Sequence, residues 1–149
     1  LGMQIMLVEF ARYALGLKQA HSTEVDPNTP DPVVSMLAEQ KQLQNLGGTM
    51  RLGAYPCELK PGSLAEQAYG KRLIWERHRH RYEFNNEYKK AFEEKGMLFS
   101  GKLERGELCE ISEVAGHPWM LGVQFHPEFK SKPLEPHPLF CDFIRAILL

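Results

Sequence analysis

Three strand-like runs, Met97 to Leu103, Glu107 to Val114 and Trp119 to Phe125, crowd the second half of this chain, and only turn residues at Arg105-Gly106 and Ala115-Gly116 separate them. Connections this short leave no room for the crossover helices that a purely parallel sheet requires. A mixed sheet flanked by helices is the expected arrangement. Helical periodicity supplies the other layer, because Met3, Met6, Leu7, Phe10 and Ala14 recur near the spacing of one apolar helix face and Gly16 is a stop signal. Ser63 to Tyr69 reads as a short helix capped by Ser63, and Glu87 to Lys95 as a helix stopped by Gly96. Leu139 to Leu148 reads as a last amphipathic helix after the Pro-rich loop Pro133 to Pro138. Thr49 to Leu59, opened by Gly47-Gly48 and broken at Gly53, and Leu73 to Phe84 complete the strands, whereas Lys18 to Glu39, with Pro27, Pro30 and Pro32, reads as loop. At 149 residues, with no internal repeat or low-complexity segment, the chain is expected to form one α/β domain.

Composition excludes several function classes. A formal net charge of -1 argues against broad attraction to nucleic acid or to anionic lipid. No apolar run is long enough to span a bilayer and nothing at the start resembles a signal peptide, so neither a membrane nor a nucleic acid is expected as a partner. Cys57, Cys109 and Cys141 are odd in number and far apart, which predicts reduced thiols and a cytoplasmic compartment.

The sharpest chemical signal is Gly122-Val-Gln-Phe-His-Pro-Glu-Phe129. Trp119 to Phe125 reads as a buried strand, His126 sits at its carboxyl end, Pro127 stiffens the turn, and Glu128 can bond one ring nitrogen and fix the tautomer. The bland alternative is a surface loop with His126 packed or solvated. A nucleophile is missing from this pattern. The opening Leu1-Gly-Met-Gln4 resembles the helix that follows a nucleophile elbow, where the residue after the nucleophile donates its backbone N–H to the oxyanion. Leu1 would be that residue, and the nucleophile would lie just before it, outside this chain. In Arg77-His-Arg-His-Arg81, strand alternation puts Arg77, Arg79 and Arg81 on one face and His78 and His80 on the other. A nucleic-acid patch would need basic companions that the balanced charge does not supply, and zinc binding by His78 and His80 lacks a partner pair at suitable spacing. Arginines paired to acids over half-buried histidines are the plain alternative. Gly47-Gly48 belongs to no P-loop and reads as a flexible turn, and Glu24, taken alone, as a solvated carboxylate.

Taken in order, Leu1-Gly-Met-Gln4, Ser22-Thr-Glu24, Gly47-Gly-Thr-Met-Arg-Leu-Gly53, Glu76-Arg-His-Arg-His-Arg-Tyr-Glu83, His126-Pro-Glu128 and Pro136-His-Pro-Leu-Phe140 cover essentially the whole chain. Together they resemble the carboxyl-terminal, triad-type (class I) glutamine amidotransferase domain of the CTP synthase family. The resemblance implies a flavodoxin-like class I fold, of which residues 1–149 would be the later portion, starting just after the nucleophilic Cys. It implies that this Cys attacks the side-chain amide of L-glutamine, that His126 activates it and protonates departing ammonia, and that Glu128 orients His126. It places Leu1, Gly2, Met3, Gln4, Glu24 and Arg81 around glutamine, with Glu24 reading the α-amino group. It links Thr49, Arg51 and Arg81 to activation by GTP. No metal or cofactor is implied for this chain. ATP and Mg are expected in an amino-terminal synthetase domain that aminates UTP to CTP, in a parent expected to be a homotetramer, and this chain alone is expected to be inactive. The alternatives are another triad-type amidotransferase or glutamine hydrolase sharing only the His-Pro-Glu, and a noncatalytic RNA-binding or interaction domain that kept the fold.

Overall fold

Helix α1, Gly2–Ala14, follows from the apolar stripe at its start: Met3, Leu7, Val8 and Ala11 are buried, and Gln4 is buried beside them. Gly16 ends it with a positive φ of 76°, which lets the Leu17 N–H turn back onto the Ala11 carbonyl. In the computed structural model, residues 1–36, 50–103 and 108–148 are described. The expected turn at Arg105-Gly106, the Gly47-Gly48 opening and Thr49 lie outside them.

The described strands form two sheets. The larger has the order β4-β3-β6-β7-β8, built from β3 (Arg51–Leu59), β4 (Leu73–His80), β6 (Met97–Leu103), β7 (Cys109–Val114) and β8 (Leu121–Val123). All of its neighbours are antiparallel. The smaller sheet is the mixed one: β1 (His21–Ser22) runs parallel to β2 (Pro32–Ser35), which pairs antiparallel with β5 (Glu83–Phe84). The mixing expected of a single sheet is thus confined to a small second one. The Lys18 to Glu39 loop expectation is corrected as far as residue 36, because β1 and β2 form inside it. Val33 and Val34 drive that pairing through burial under α1, a tertiary effect that local alternation does not reveal.

The expected strand Leu73 to Phe84 splits at Arg81-Tyr82. Its first part stays in the large sheet, while Glu83 and Phe84 cross to pair with Ser35 and Val34. Along β4 the alternation holds, with Ile74, Glu76 and His78 buried and Trp75, Arg77 and Arg79 exposed. The run Trp119 to Phe125 keeps only Leu121–Val123 as strand, and these residues are half-buried rather than buried. Gly122 lies directly under α1, where an added Cβ would stand 3.1 Å from the Met3 Cα. That close approach brings the start of α1 to the end of β8.

Among the described residues three further helices flank the sheets. Helix α2, Leu64–Tyr69, has Ser63 as its N-cap, the Ser63 Oγ accepting from the Glu66 N–H at 3.1 Å. Glu113 of β7 accepts the next two free amides, those of Leu64 and Ala65, both at 3.0 Å. Helix α3, Lys89–Glu94, follows a 3₁₀ turn at Asn86–Tyr88 and stops before Gly96. Helix α4, Pro138–Leu148, packs beside α2. One core gathers Leu7, Val8, Val33, Val34, Phe84 and Phe92 between α1, the small sheet and α3, and the other gathers Leu59, Ala65, Ile74, Ile111, Phe125 and Leu139 beneath α2 and α4.

Candidate active site

The end of β8 delivers a short turn. Past Val123 the chain runs through Gln124 and Phe125, both buried, to His126, whose backbone N–H donates to the Arg77 carbonyl of β4 at 2.9 Å. Pro127–Phe129 then form one 3₁₀ turn with Pro at its start, where a missing N–H costs nothing. That turn brings the Glu128 Oε1 to 2.6 Å from the His126 Nδ1. On its face the imidazole stacks against Phe129, with centroids 4.8 Å apart and 16° between planes. Burial works against ionising Glu128, but the hydrogen bond from His126 and a backbone hydrogen bond hold its carboxyl below the usual carboxylate range. The ring is therefore fixed through Nδ1, and Nε2 has no protein partner among the described residues.

Two cavities meet at His126. One, of about 580 Å³, is lined by Leu1, Gln4, Glu24, Arg79, Arg81, Tyr82, Gln124 and His126 among others. The other, of about 330 Å³, is lined by Leu1, Gly2, Met3, Gly122 and Glu128, again with His126. The structure thus brings together Leu1, Gly2, Met3, Gln4, Glu24, Arg81, His126 and Glu128, which lie far apart in sequence. In the larger cavity Glu24 and Arg81 are exposed charges of opposite sign. A turn sets Glu24, whose N–H donates to the buried Ser22 Oγ at 3.2 Å.

Gln124 and Tyr82 were not singled out from sequence. The Tyr82 carbonyl accepts from the Gln4 Nε2 and the Gln124 Nε2, each at 3.0 Å, so two amides lock the break between β4 and β5 to α1 and to the strand end. A Gln inside an otherwise apolar run is the signal that marks Gln124.

Arg51 stands elsewhere. Its side chain is 9% exposed and its guanidinium donates to Glu83 at 3.0 Å and to Glu110 at 2.7 Å, while also lying 4.6 Å over the Tyr55 ring. The group is committed to buried carboxylates and lines neither cavity. Burial opposes its charge, but Glu110 and Glu83 raise its pKa further. Burial, against the pull of Arg51, pushes the carboxyl of Glu110 up to about 7. Burial also drives His78 down to about 3, so it is neutral at physiological pH. Thr49 lies outside the described residues. The exposed Arg77, Arg79 and Arg81 have no carboxylate partner among the described residues, so the alternative of arginines paired to acids does not describe this face.

None of the three cysteines lines either cavity. Cys57 and Cys109 are buried, and desolvation raises both thiols, Cys109 to about 12, so neither is a thiolate near neutral pH. Among the described residues no group of three or more His, Cys, Asp or Glu could hold a metal ion.

The site thus sets a histidine, bonded to a carboxylate two residues on, at a strand end that faces the start of a helix. The chain is a member of the class-I glutamine amidotransferase family, whose sequence pattern matches residues 1–146. Its likeness within that class is to CTP synthases. It is 62% identical over 149 residues to the CTP synthase of Protochlamydia amoebophila, covering 100% of this chain and 28% of that protein. It is likewise 62% identical over 148 residues to the CTP synthase of Aquifex aeolicus, covering 99% of this chain and 28% of that one. Its fold superposes with a TM-score of 0.90 and 30% identity on a Trypanosoma brucei CTPS glutaminase domain with bound acivicin, over 97% of this chain and 56% of that one. The mixed α/β class I fold expected from sequence is therefore the one observed, and the chain spans about 28% of the length of the curated relatives it matches.

Proposed function

We propose that this chain is the glutaminase part of a CTP synthase, releasing ammonia from L-glutamine for ATP-dependent amination of UTP in a separate synthetase domain. The observation that carries the reading is the 2.6 Å bond between His126 and Glu128, which leaves Nε2 free beside cavities that Leu1 also lines. A Cys placed directly before Leu1 in the parent protein would stand at the amino terminus of α1, and the Leu1 N–H would be in place to bind the oxyanion. His126 takes the thiol proton and returns it to the leaving ammonia, while Glu128 holds the imidazole in one tautomer and favours the imidazolium that forms. Gln4, Glu24 and Arg81 line the space on the other side of Leu1, where an acid and a base of opposite charge suit the amine and carboxylate of an amino acid. Arg81, exposed at the same rim, also serves the response to GTP. Arg51 contributes to that response through the packing of the wall behind His80, since its own guanidinium is occupied. ATP and Mg belong to the synthetase domain, and the parent works as a homotetramer in the cytoplasm.

The test separates the two halves of the reaction. In the full-length protein, His126→Ala should abolish CTP formation from glutamine and leave formation from ammonium chloride within about twofold, because free ammonia bypasses the thioester. Equal loss of both activities in a folded variant would sink the reading.

A further inference from the structure

The His126–Glu128 turn is one 3₁₀ turn long, and such a turn holds its own geometry poorly. Among the described residues, its hold on β4 at the front is the bond from the His126 N–H to the Arg77 carbonyl. At the back stands Lys130, two residues beyond Glu128. Its ammonium donates to the Trp75 carbonyl at 2.6 Å and to the Glu76 Oε1 at 3.0 Å, both on β4. Glu76 is fully buried, and the same Oε1 also takes the Tyr69 hydroxyl at 3.0 Å and stands 3.3 Å from the His137 Nε2. The Ser131 hydroxyl accepts the His137 N–H at 3.1 Å, so the segment after the turn is tied to the same carboxylate from a second side. Nothing in the chemistry of glutamine hydrolysis requires a buried carboxylate with three partners behind the catalytic loop.

We infer that Lys130 is a positioning residue: anchored on Glu76 and on the Trp75 carbonyl, it clamps the turn to β4 and thereby fixes how far the His126 ring and the Glu128 carboxylate stand from the nucleophile. The inference rests on the reading of His126 as base and Glu128 as its orienting acid. Lys130 is pinned at the ammonium end of its chain and at its backbone N–H, which donates to the Pro127 carbonyl at 3.0 Å. The bond to Pro127 closes a turn that contains Glu128 and Phe129, the ring on which His126 stacks. Releasing the ammonium frees the Phe129 face and the Glu128 carboxylate together. A displacement of about 1 Å in such an arrangement can cost a hundredfold in rate.

The test is a graded series in the full-length enzyme. Lys130→Met should lower kcat for glutamine hydrolysis about ten- to a hundredfold while KM for glutamine stays within about twofold. Lys130→Gln, which keeps a donor without the charge, should fall between, and Lys130→Arg should recover most of the rate. The acid limb of the kcat/KM profile should move to lower pH in Lys130→Met, because a loosened Glu128 favours the imidazolium less. Ammonia-dependent CTP formation should hold across the series. An unchanged kcat in Lys130→Met, a loss confined to KM, or a parallel loss of ammonia-dependent synthesis would each overturn the clamp. His126→Ala, assayed alongside, tells the two readings apart. Its retaining glutamine hydrolysis would sink the assignment of the base, whereas its failing while Lys130→Met works normally would sink the clamp alone. The Lys130 side chain is 42% exposed, so these substitutions leave no cavity in either core.

Discussion

Glu24 and Arg81 reach the same cavity from the first quarter and the middle of the chain, and each is exposed and charged. Neither contributes to packing, so substitution there tests recognition with little effect on folding. Glu24→Ala should raise the glutamine concentration needed for half-maximal activity about ten- to a hundredfold, the usual loss for a charge-assisted contact, and leave ammonia-dependent turnover alone. An unchanged glutamine dependence in a titration would return Glu24 to a solvated turn. What could be read from sequence at this scale was whatever acts locally. His126 and Glu128 are two residues apart, and the turn between them can close only a few ways once Pro127 is in place. Tyr82 and Gln124 are a different matter. The carbonyl of one accepts the amide of the other across 42 positions, and no local pattern encodes that pairing. Arg51 went the same way: the family resemblance links it to GTP, yet the fold closes two carboxylates from β5 and β7 over it.

Those carboxylates make the Arg51 cluster a tie between elements, since β3, β5 and β7 meet at one guanidinium. Its removal leaves Glu83 and Glu110 buried without a cation, a change that typically costs about 3–5 kcal/mol. Arg51→Ala should therefore shift the urea midpoint of the protein strongly downward. A midpoint near wild type would mean that water reaches the two acids. The cluster also carries a pH signature. Two acids share one arginine, His78 stands 3.5 Å from Glu110 as a neutral ring, and His80 bonds Glu83 at 2.7 Å. Burial, the largest influence, raises Glu110 from an ordinary 4.5 to about 7 in the fold. The native state therefore holds the extra proton between those values. Its contribution is complete below the unfolded pKa and is lost as pH rises through about 7, at most about 3 kcal/mol. Urea midpoints at pH 5, 6, 7 and 8 should show wild type losing stability relative to Glu110→Gln as pH rises. A constant gap between the two proteins would show that Glu110 titrates as an ordinary carboxylate. Helices α1, α2 and α4 were readable because each has an apolar stripe or a cap. The two- and four-residue strands β1 and β2 were not, because burial of Val33 and Val34 under a distant helix makes them strands.

Across the whole molecule, the working surfaces gather along one seam where α1, the end of β8 and the break between β4 and β5 converge. The large sheet and its helices hold that seam rigid, with Gly122 letting α1 lie against β8. The sequence pattern conveyed the α/β class and the helix positions, while the division into two sheets came from long-range pairing that closely spaced strands alone do not specify. The seam holds a histidine bonded to a carboxylate, two exposed side chains of opposite charge and a helix start, but the thiols of this chain lie elsewhere. Cys57 and Cys109 are sealed in the interior, and Cys141 on α4 has its Sγ 3.9 Å from the Pro136 carbonyl. If His126 is the base of the proposed reaction, it has no thiolate of this chain to act with, and loss of a nucleophile that acts as a unit with its base typically costs several orders of magnitude. Residues 1–149, purified alone, should therefore release glutamate from glutamine at a rate near background, while the full-length protein hydrolyses it readily. The decisive comparison adds alkylation of the free thiols. If the isolated chain turned over glutamine at the parent's rate and lost that activity on modification of Cys141, the nucleophile would lie on α4 and the reading of the helix start beside His126 would fall.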